Sequence, residues 1–405
     1  EQPPSGKQKP SSGKPKPLSG KQKQRSGKQV PASRELPPQP ADGVKLLSSD
    51  EELLLDLHLY MLADDLRRMA PWDFYPEDQF FGVQVPGRDL IYFVHVMGQS
   101  REFTGLALYK GWEGLWSYMD FLFEIDRMSR AELSEELLQQ VHVRPWSLLS
   151  IPHLMLYYVD REDLGRQELE AIKKSGVRFR GKGNWPRIED VTPAFAPVYP
   201  EKRILKELYL VLQQVRNVMD RAEEEDPSLD REGDPPNTLL IRVPQGKGPK
   251  FRWKDHFLHT HPDWGKPSYS VKLDPESALK LSKLPEADQE LQIDIFFVPS
   301  PVKEKGSRPF FPMVLLFVDT YNGLVLSTSV HAPQPDLHAV YEALPQKVVD
   351  ELLRIGHQPS QIEIRSLTLF GLLRDALEAA GIEVYQVEEM PEMDEAIASM
   401  VAGFS

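Results

Sequence analysis

The chain has 405 residues, of which 40% are apolar and 27% are charged, and a length and composition of this kind predict two or three globular domains. No stretch approaches the ~20 uninterrupted apolar residues that a membrane helix needs, and the absence of cysteine excludes disulfides, thiolate metal sites and cysteine nucleophiles. We therefore expect a cytoplasmic protein that makes no contact with a membrane.

Residues 1–44 are predicted to form a disordered basic tail, because repeated Ser-Gly-Lys units leave almost no apolar side chains to bury. Residues 1–40 carry nine Lys or Arg against two acids, so the net charge of −13 leaves −20 for the rest of the chain. The tail is either a solubilising linker or an arm that makes a weak contact with nucleic acid or another acidic surface. The chain begins at Glu1 rather than Met, so we expect it to be a fragment of a longer protein.

Residues 45–222 are predicted to form an α+β domain. Ser48, Ser49 and Asp50 offer N-caps for a first helix whose apolar face begins at Leu53. Apolar runs and turn residues then predict the remaining elements. These are strands over 80–85, 90–97, 103–109 and 154–159 and helices over 111–127, 162–174 and 202–221.

Residues 223–237 are rich in Glu, Asp and Pro, which predicts an acidic linker. Residues 238–405 follow as a second domain with its core at 290–401. At its start, 238–243 and 250–258 are predicted to form a hairpin, and the sequence leaves open which domain that hairpin packs on.

The second domain is predicted to be α/β. Three strands over 291–298, 312–319 and 324–330 come first, with Tyr321-Asn322-Gly323 as a hairpin turn. A helix over 337–355, which Gly356 ends, is followed by a strand at 361–365, a helix at 367–380, a strand at 382–387 and a helix at 393–401. Antiparallel strands followed by helix–strand alternation indicate a mixed sheet covered by helices.

Both domains resemble bacterial families of unknown function that occur together. The first resemblance is carried by Trp72, Phe81-Gly82-Val83, Val96-Met97-Gly98, Leu108-Tyr109-Lys110-Gly111 and Gly114-Leu115. The second is carried by Phe317-Val318-Asp319, Asn322-Gly323, Gln358-Pro359, Ile362-Glu363-Ile364 and Gly381-Ile382. These resemblances imply a two-domain architecture and no established activity.

The second domain is also distantly similar to a ribonuclease-H-like or integrase-like core. In that superfamily acidic residues on the strands hold two divalent metals for phosphodiester cleavage. The resemblance implies Asp294 as the first-strand carboxylate, with Glu363 and Asp319 as further catalytic candidates. Arg365 and Ser366 stand where a further Asp is expected, so most of the carboxylates are missing.

A second candidate is a cluster of three His and two Asp between Asp255 and Asp263. Imidazole and carboxylate ligands suit Zn, Ni, Mn or Fe, so Asp255, His256, His259 and His261 could hold a divalent metal. In an extended strand His259 and His261 point to one side and His256 to the other. The alternatives are general acid–base chemistry and a polar strand with exposed histidines.

Two loops contain Gly and Lys, at 181–184 and at 245–248, but neither has the spacing of a phosphate-binding loop, and both are interpreted as turns. The leading functional hypothesis is a non-enzymatic binding or regulatory module with a protein partner. The alternative is a metal-dependent phosphodiester hydrolase on a ribonuclease-H-like fold.

Overall fold

The computed structural model of the protein describes residues 46–130, 150–224, 238–246, 248, 250–261, 268–298 and 300–402, with the side chains of 123–130 left out. The predicted basic tail and residues 225–237 of the predicted acidic linker lie outside these residues, so the structure does not bear on either prediction.

Helices and strands alternate through both halves, which confirms the predicted mixed α/β class. The strands are β1 (Phe80–Gln84), β2 (Ile91–Met97), β3 (Gly105–Lys110), β4 (His153–Val159), β5 (Trp185–Val191), β6 (Thr238–Gln245), β7 (Arg252–His259), β8 (Glu286–Phe297), β9 (Met313–Asp319), β10 (Val325–His331), β11 (Gln358–Ile364) and β12 (Glu383–Gln386). The α-helices are α1 (Ser49–Leu53), α2 (Leu55–Met69), α3 (Gly111–Arg130), α4 (Arg166–Ser175), α5 (Lys202–Glu224), α6 (Pro275–Leu281), α7 (Leu337–Ile355), α8 (Leu367–Glu378) and α9 (Pro391–Ala402). Among the helices of the described ranges, none is long and apolar enough to cross a membrane.

The first sheet, sheet 1, has seven strands in the order β5-β4-β3-β2-β1-β6-β7. Its strand pairs are antiparallel apart from β1 and β6, which run parallel. Helices α2 and α5 cover one face and α3 covers the other. Close packing needs Gly82 on β1, because a Cβ atom there would lie 2.5 Å from Cδ1 of Ile241 on β6.

The hairpin of β6 and β7 corrects the predicted domain boundary. The predicted second domain begins at residue 238, but β6 pairs with β1 through Gly82–Ile241 and Val83–Arg242. The hairpin is therefore part of sheet 1. Strand and turn signals are local, whereas the parallel partner β1 lies far away in the sequence, so the pattern could not specify it.

The second sheet, sheet 2, has five strands in the order β10-β9-β8-β11-β12. β9 pairs antiparallel with both β8 and β10, whereas β11 pairs parallel with β8 on one side and with β12 on the other. Helices α7 and α8 pack on one face, and α9 packs on the other. Three antiparallel strands followed by two parallel ones agree with the predicted mixed sheet.

Local sequence signals place many element ends. Ser48 caps α1, accepting from the Glu51 N–H, while the Glu51 carboxylate accepts from the Ser48 N–H at 2.8 Å. Gly356 ends α7 in the left-handed conformation, as predicted. β5 and α6 were not predicted, and β5 alternates half-buried and buried side chains too irregularly to give a clear strand pattern.

The two domains meet through the chain after β5 and the chain before β9. Arg308 donates hydrogen bonds to Oγ1 of Thr192 at 2.7 Å, to the Asp190 carbonyl at 2.6 Å and to the Ala196 carbonyl at 3.0 Å. The Ala196 N–H in turn donates to the Pro309 carbonyl at 2.9 Å. One half-buried guanidinium and main-chain hydrogen bonds therefore connect β5 and the chain after it to the segment before β9.

Helix α8 offers a direct test of the core. We expect Leu373→Ala to lower the free energy of unfolding of the second domain by about 2–5 kcal/mol, because the fully buried side chain leaves a cavity behind. Leu367→Ala, which changes a side chain 74% exposed on the same helix, should change it by no more than about 0.5 kcal/mol. Urea unfolding followed by circular dichroism measures both, and equal effects would contradict the assigned orientation of α8.

Candidate functional site

The candidate first-strand carboxylate is held in an ion-pair network. Asp294 lies on β8, and its Oδ2 accepts a hydrogen bond from Nη2 of Arg365 at 2.9 Å. Nη1 of the same guanidinium donates to both carboxylate oxygens of Asp394, at 2.8 and 2.9 Å. Asp294 and Arg365 are largely buried and Asp394 is half-buried, so one guanidinium bridges two carboxylates.

Strand and helix positions bring these three groups together. Arg365 directly follows β11, which runs parallel to β8, so its side chain reaches across to the neighbouring strand. Asp394 comes from α9, which packs over the same face of sheet 2. Burial by itself would lower the pKa of Arg365, but the charges of Asp294 and Asp394 raise that pKa above its ordinary value. The guanidinium therefore stays charged and fills the space between the two acids.

Glu363 belongs to an adjacent polar group on the same face. Nε2 of Gln292 donates to Glu363 and to Glu392, at 3.1 Å in both cases. The Gln292 side-chain oxygen accepts from the Met393 N–H at 2.9 Å, at the start of α9. Gln292 thus orients the helix and two carboxylates, and these contacts are structural.

Asp319 does not join this group. Asp294 pairs in register with Leu316 and Asp319 pairs with Leu291, and these two partners pack in cores on opposite faces of sheet 2. Asp319 instead accepts hydrogen bonds from the N–H groups of Tyr321 and Asn322, at 3.0 and 3.2 Å. It stabilises the hairpin turn before β10, so the three catalytic candidates do not converge on one site.

Of the predicted metal ligands, Asp255, His256 and His259 lie on β7, at an edge of sheet 1, and His261 follows the end of that strand. Asp255 forms ion pairs with Arg221 of α5, at 2.7 Å, and with Arg242 of β6. Burial alone would raise the pKa of Asp255, but hydrogen bonds from the two guanidiniums lower it. Burial lowers the pKa of His256. Over the described stretches of chain, no three His, Asp or Glu side chains come close enough together to hold a metal ion.

The two Gly-Lys loops behave as turns where the structure describes them. Gly181 and Gly183 have φ of +91° and +62°, and the Gly183 N–H donates to the Asp160 carboxylate at 2.6 Å. That donor already has an anionic partner. Gly246 has φ of +99° in the turn between β6 and β7.

A basic groove on the first domain was missed by the sequence analysis. It has a volume of about 660 Å³ and lies between α4, the following segment 177–180 and Trp185 of β5. Its lining includes Arg161, Arg178 and Arg180. Residues 161–187 carry eight Lys or Arg against four acids, and this local excess in an acidic chain was the available signal.

The aromatic core beneath α3 contains a buried histidine. His95 of β2 is 3% exposed, and its Nδ1 lies 3.4 Å from the hydroxyl of Tyr109. Phe80 and Tyr118 pack against the ring. Burial lowers the pKa of His95 to about 4, so the imidazole is neutral in the native protein at pH 7.

Two sheets with their covering helices define a two-domain protein of the mixed α/β class. Residues 57–242 match the family model of a domain of unknown function (DUF7309), and residues 278–401 match that of another domain of unknown function (DUF6930). Together the matches support a two-domain family of unknown function. The first match extends into β6, in agreement with the place of that strand in sheet 1.

No curated protein matches the chain. Among solved structures, it is similar to a chain in the cryo-EM structure of the simian T-cell lymphotropic virus intasome in complex with PP2A regulatory subunit B56 gamma. The identity is 16%, the TM-score is 0.19, and the match covers 34% of this chain and 41% of that chain. A similarity of this size carries no argument about fold or function.

The Arg365 network can be tested by substitution. We expect Arg365→Met to lower the free energy of unfolding of the second domain by about 3–5 kcal/mol, because the buried Asp294 carboxylate loses its cation. Arg374→Met removes an exposed ion pair with Asp375 and should cost at most about 1 kcal/mol. Adding Asp294→Leu to Arg365→Met should restore part of the loss. Equal urea midpoints for the two single variants would show that the network is not structural.

His95 predicts a specific dependence on pH. Because its pKa is about 4 in the native state and near 6.5 when exposed, the unfolded state binds more protons between these values. Stability therefore falls as the pH is lowered from 7 to 4, and His95 accounts for about 3 kcal/mol of that fall. His95→Gln should remove this part, as measured by urea unfolding at both pH values. Between pH 7 and 9 the two proteins should differ by a constant free energy of unfolding. If His95→Gln lost as much stability between pH 7 and 4 as the wild type does, the lowered pKa of His95 would be contradicted.

Proposed function

We propose that the protein is a non-enzymatic binding module with a protein partner, whose second domain uses a ribonuclease-H-like scaffold. The observation that carries the proposal is the position of Arg365, whose guanidinium joins Asp294 to Asp394. A two-metal centre needs free carboxylate oxygens directed at the cations. Here an oxygen of Asp294 and both oxygens of Asp394 already accept hydrogen bonds from Arg365. We also propose a cytoplasmic location, with which the absence of cysteine is compatible.

The strand order of sheet 2 supports the scaffold half of this proposal. Three antiparallel strands are followed by two parallel ones, and Asp294 lies on β8, at the centre of the sheet. Folds do not carry activities with them, so function has to be argued from the side chains. Those side chains stabilise the packing of α9 on the sheet, which supports a structural role for the acids.

Metal-dependent phosphodiester hydrolysis is the alternative function. The observation in its favour is that four acids share the α9 face of sheet 2, namely Asp294, Glu363, Glu392 and Asp394. A metal could bind these acids only if Arg365 moved away. The two functions therefore differ in whether a divalent cation displaces the guanidinium.

One experiment separates the two functions. The purified 405-residue chain is incubated with Mn²⁺ and with Mg²⁺, and hydrolysis of bis(p-nitrophenyl) phosphate and of labelled oligonucleotides is followed alongside thermal unfolding. We expect no metal-dependent hydrolysis and no rise in the unfolding midpoint, since a cation bound only to the native state must raise it.

The matched variants are Asp294→Asn and Asp288→Asn, which change a buried and an exposed carboxylate on the same strand. Hydrolysis that requires a metal, is lost in Asp294→Asn and is kept in Asp288→Asn would overturn the binding-module proposal. The same absence of hydrolysis in wild type and both variants would support it.

A further inference from the structure

The basic groove has an apolar floor that remains partly accessible. Leu169 and Val177 are half-buried, as is Trp185, while Ile172 and Phe179 are buried beneath them. A volume of about 660 Å³ falls in the range of sites that hold a ligand or a few side chains. The floor can therefore take up an apolar group from a ligand.

Cations line the groove without acidic partners. Arg178, Arg180 and Lys173 are exposed, and within the described part of the chain none of them forms an ion pair. The next residue on α4, Lys174, by contrast pairs with Asp56 at 2.6 Å. Arg166 pairs across one helical turn with the one acid of the lining. The groove thus carries an uncompensated positive charge on a domain that is otherwise acidic.

The segment 177–180 also presents main-chain N–H groups to a possible ligand. It belongs to no helix or strand, and its side chains alternate between more buried and exposed positions, as along a β-strand. In the portion of the chain that is described, the N–H groups of Arg178, Phe179 and Arg180 donate to no main-chain acceptor. An extended peptide lying beside this segment could pair with the N–H groups of Arg178 and Arg180, which point to the same side of an extended chain, as in β-strand addition.

Nucleic acid fits the groove less well than a peptide does. The guanidinium of Arg161 lies 5.7 Å from the centre of the Trp185 ring, and Phe179 packs 6.1 Å away, so this ring is not open as a platform for bases. Exposed Glu162 and Asp163 directly follow Arg161 in the chain and disfavour a long anion such as a nucleic acid, so an anionic ligand has to be short.

We propose that this groove binds a short acidic segment of the protein partner, with an apolar side chain on the floor and carboxylates at Lys173, Arg178 and Arg180. Charge complementarity between the unpaired cations and the acidic segment supports this occupant. The inference rests on the proposed binding function and adds to it the site and the chemistry of the partner.

The test uses fluorescence anisotropy of the full chain with dye-labelled peptides. The first probe is a short peptide in which Leu is interspersed among Asp and Glu. Its counterparts are the same peptide with Lys and Arg in place of the acids, and a labelled single-stranded oligonucleotide. We expect binding of the acidic peptide alone, weakening as salt is added because the contact is largely electrostatic.

Arg178→Glu/Arg180→Glu should lower the affinity for the acidic peptide by about tenfold or more. Lys303→Glu/Lys305→Glu, which makes the same charge change at exposed residues of the second domain, should leave it within about twofold. Val177→Ser should weaken binding without changing its salt dependence. Circular dichroism and thermal unfolding verify that each variant is folded.

If the two charge-reversal variants lost the same affinity for the acidic peptide, the inference would be overturned, since binding would then depend on overall charge. Tighter binding of the oligonucleotide, lost in Arg178→Glu/Arg180→Glu, would replace the peptide with nucleic acid as the ligand. If wild type binds no acidic peptide and shows no metal-dependent hydrolysis, the groove assignment fails while the binding-module proposal stands. Metal-dependent hydrolysis overturns that proposal whatever the groove binds.

Discussion

The position of the last helix of the second domain depends on one largely buried cation. Arg365 joins the central strand of sheet 2, through Asp294, to the last helix, through Asp394. Buried charges are costly to remove from water, and they are tolerated where each has a partner with good geometry. Because the guanidinium meets both acids at 2.8 to 2.9 Å, the helix has a defined position on the sheet. On the surface such an ion pair would contribute little to stability, but here it positions α9 on sheet 2.

Successive side chains of a strand point to opposite faces of the sheet, and this explains why the predicted catalytic acids do not come together. Asp294 and Glu363 face α9, whereas Asp319 lies on the strand positions that face α7 and α8. A sheet separates its two faces completely, so residues on opposite faces cannot share a ligand. The carboxylates on the α9 face are in turn occupied by Arg365 and Gln292. The acids on the two faces therefore do not form one set of free carboxylates.

Charge is distributed unevenly over the first domain. Many of its cations are paired with acids, as in Arg216 with Asp65 and Lys206 with Glu52. By contrast, Lys173, Arg178 and Arg180 in the groove form no ion pair within the described residues, and they lie next to accessible apolar surface. Arg308 holds the neighbouring chain segment against the second domain.

The sequence by itself determined the mixed α/β class, the positions of most helices and strands, and specific ends such as Gly356 of α7. These depend on local patterns, namely apolar periodicity, caps and turn residues. Only the tertiary structure decided that the β6–β7 hairpin joins sheet 1, that Arg365 meets Asp294, and that segment 177–180 borders a groove. The first two depend on residues far apart in the chain, and a single sequence contains no measure of which distant residues meet. The groove is lined by residues within 161–185, and its shape depends on how α4, the segment after it and β5 pack together. The physical reason is that strand pairing and buried ion pairs are set by the packing of whole elements, which local propensity does not fix.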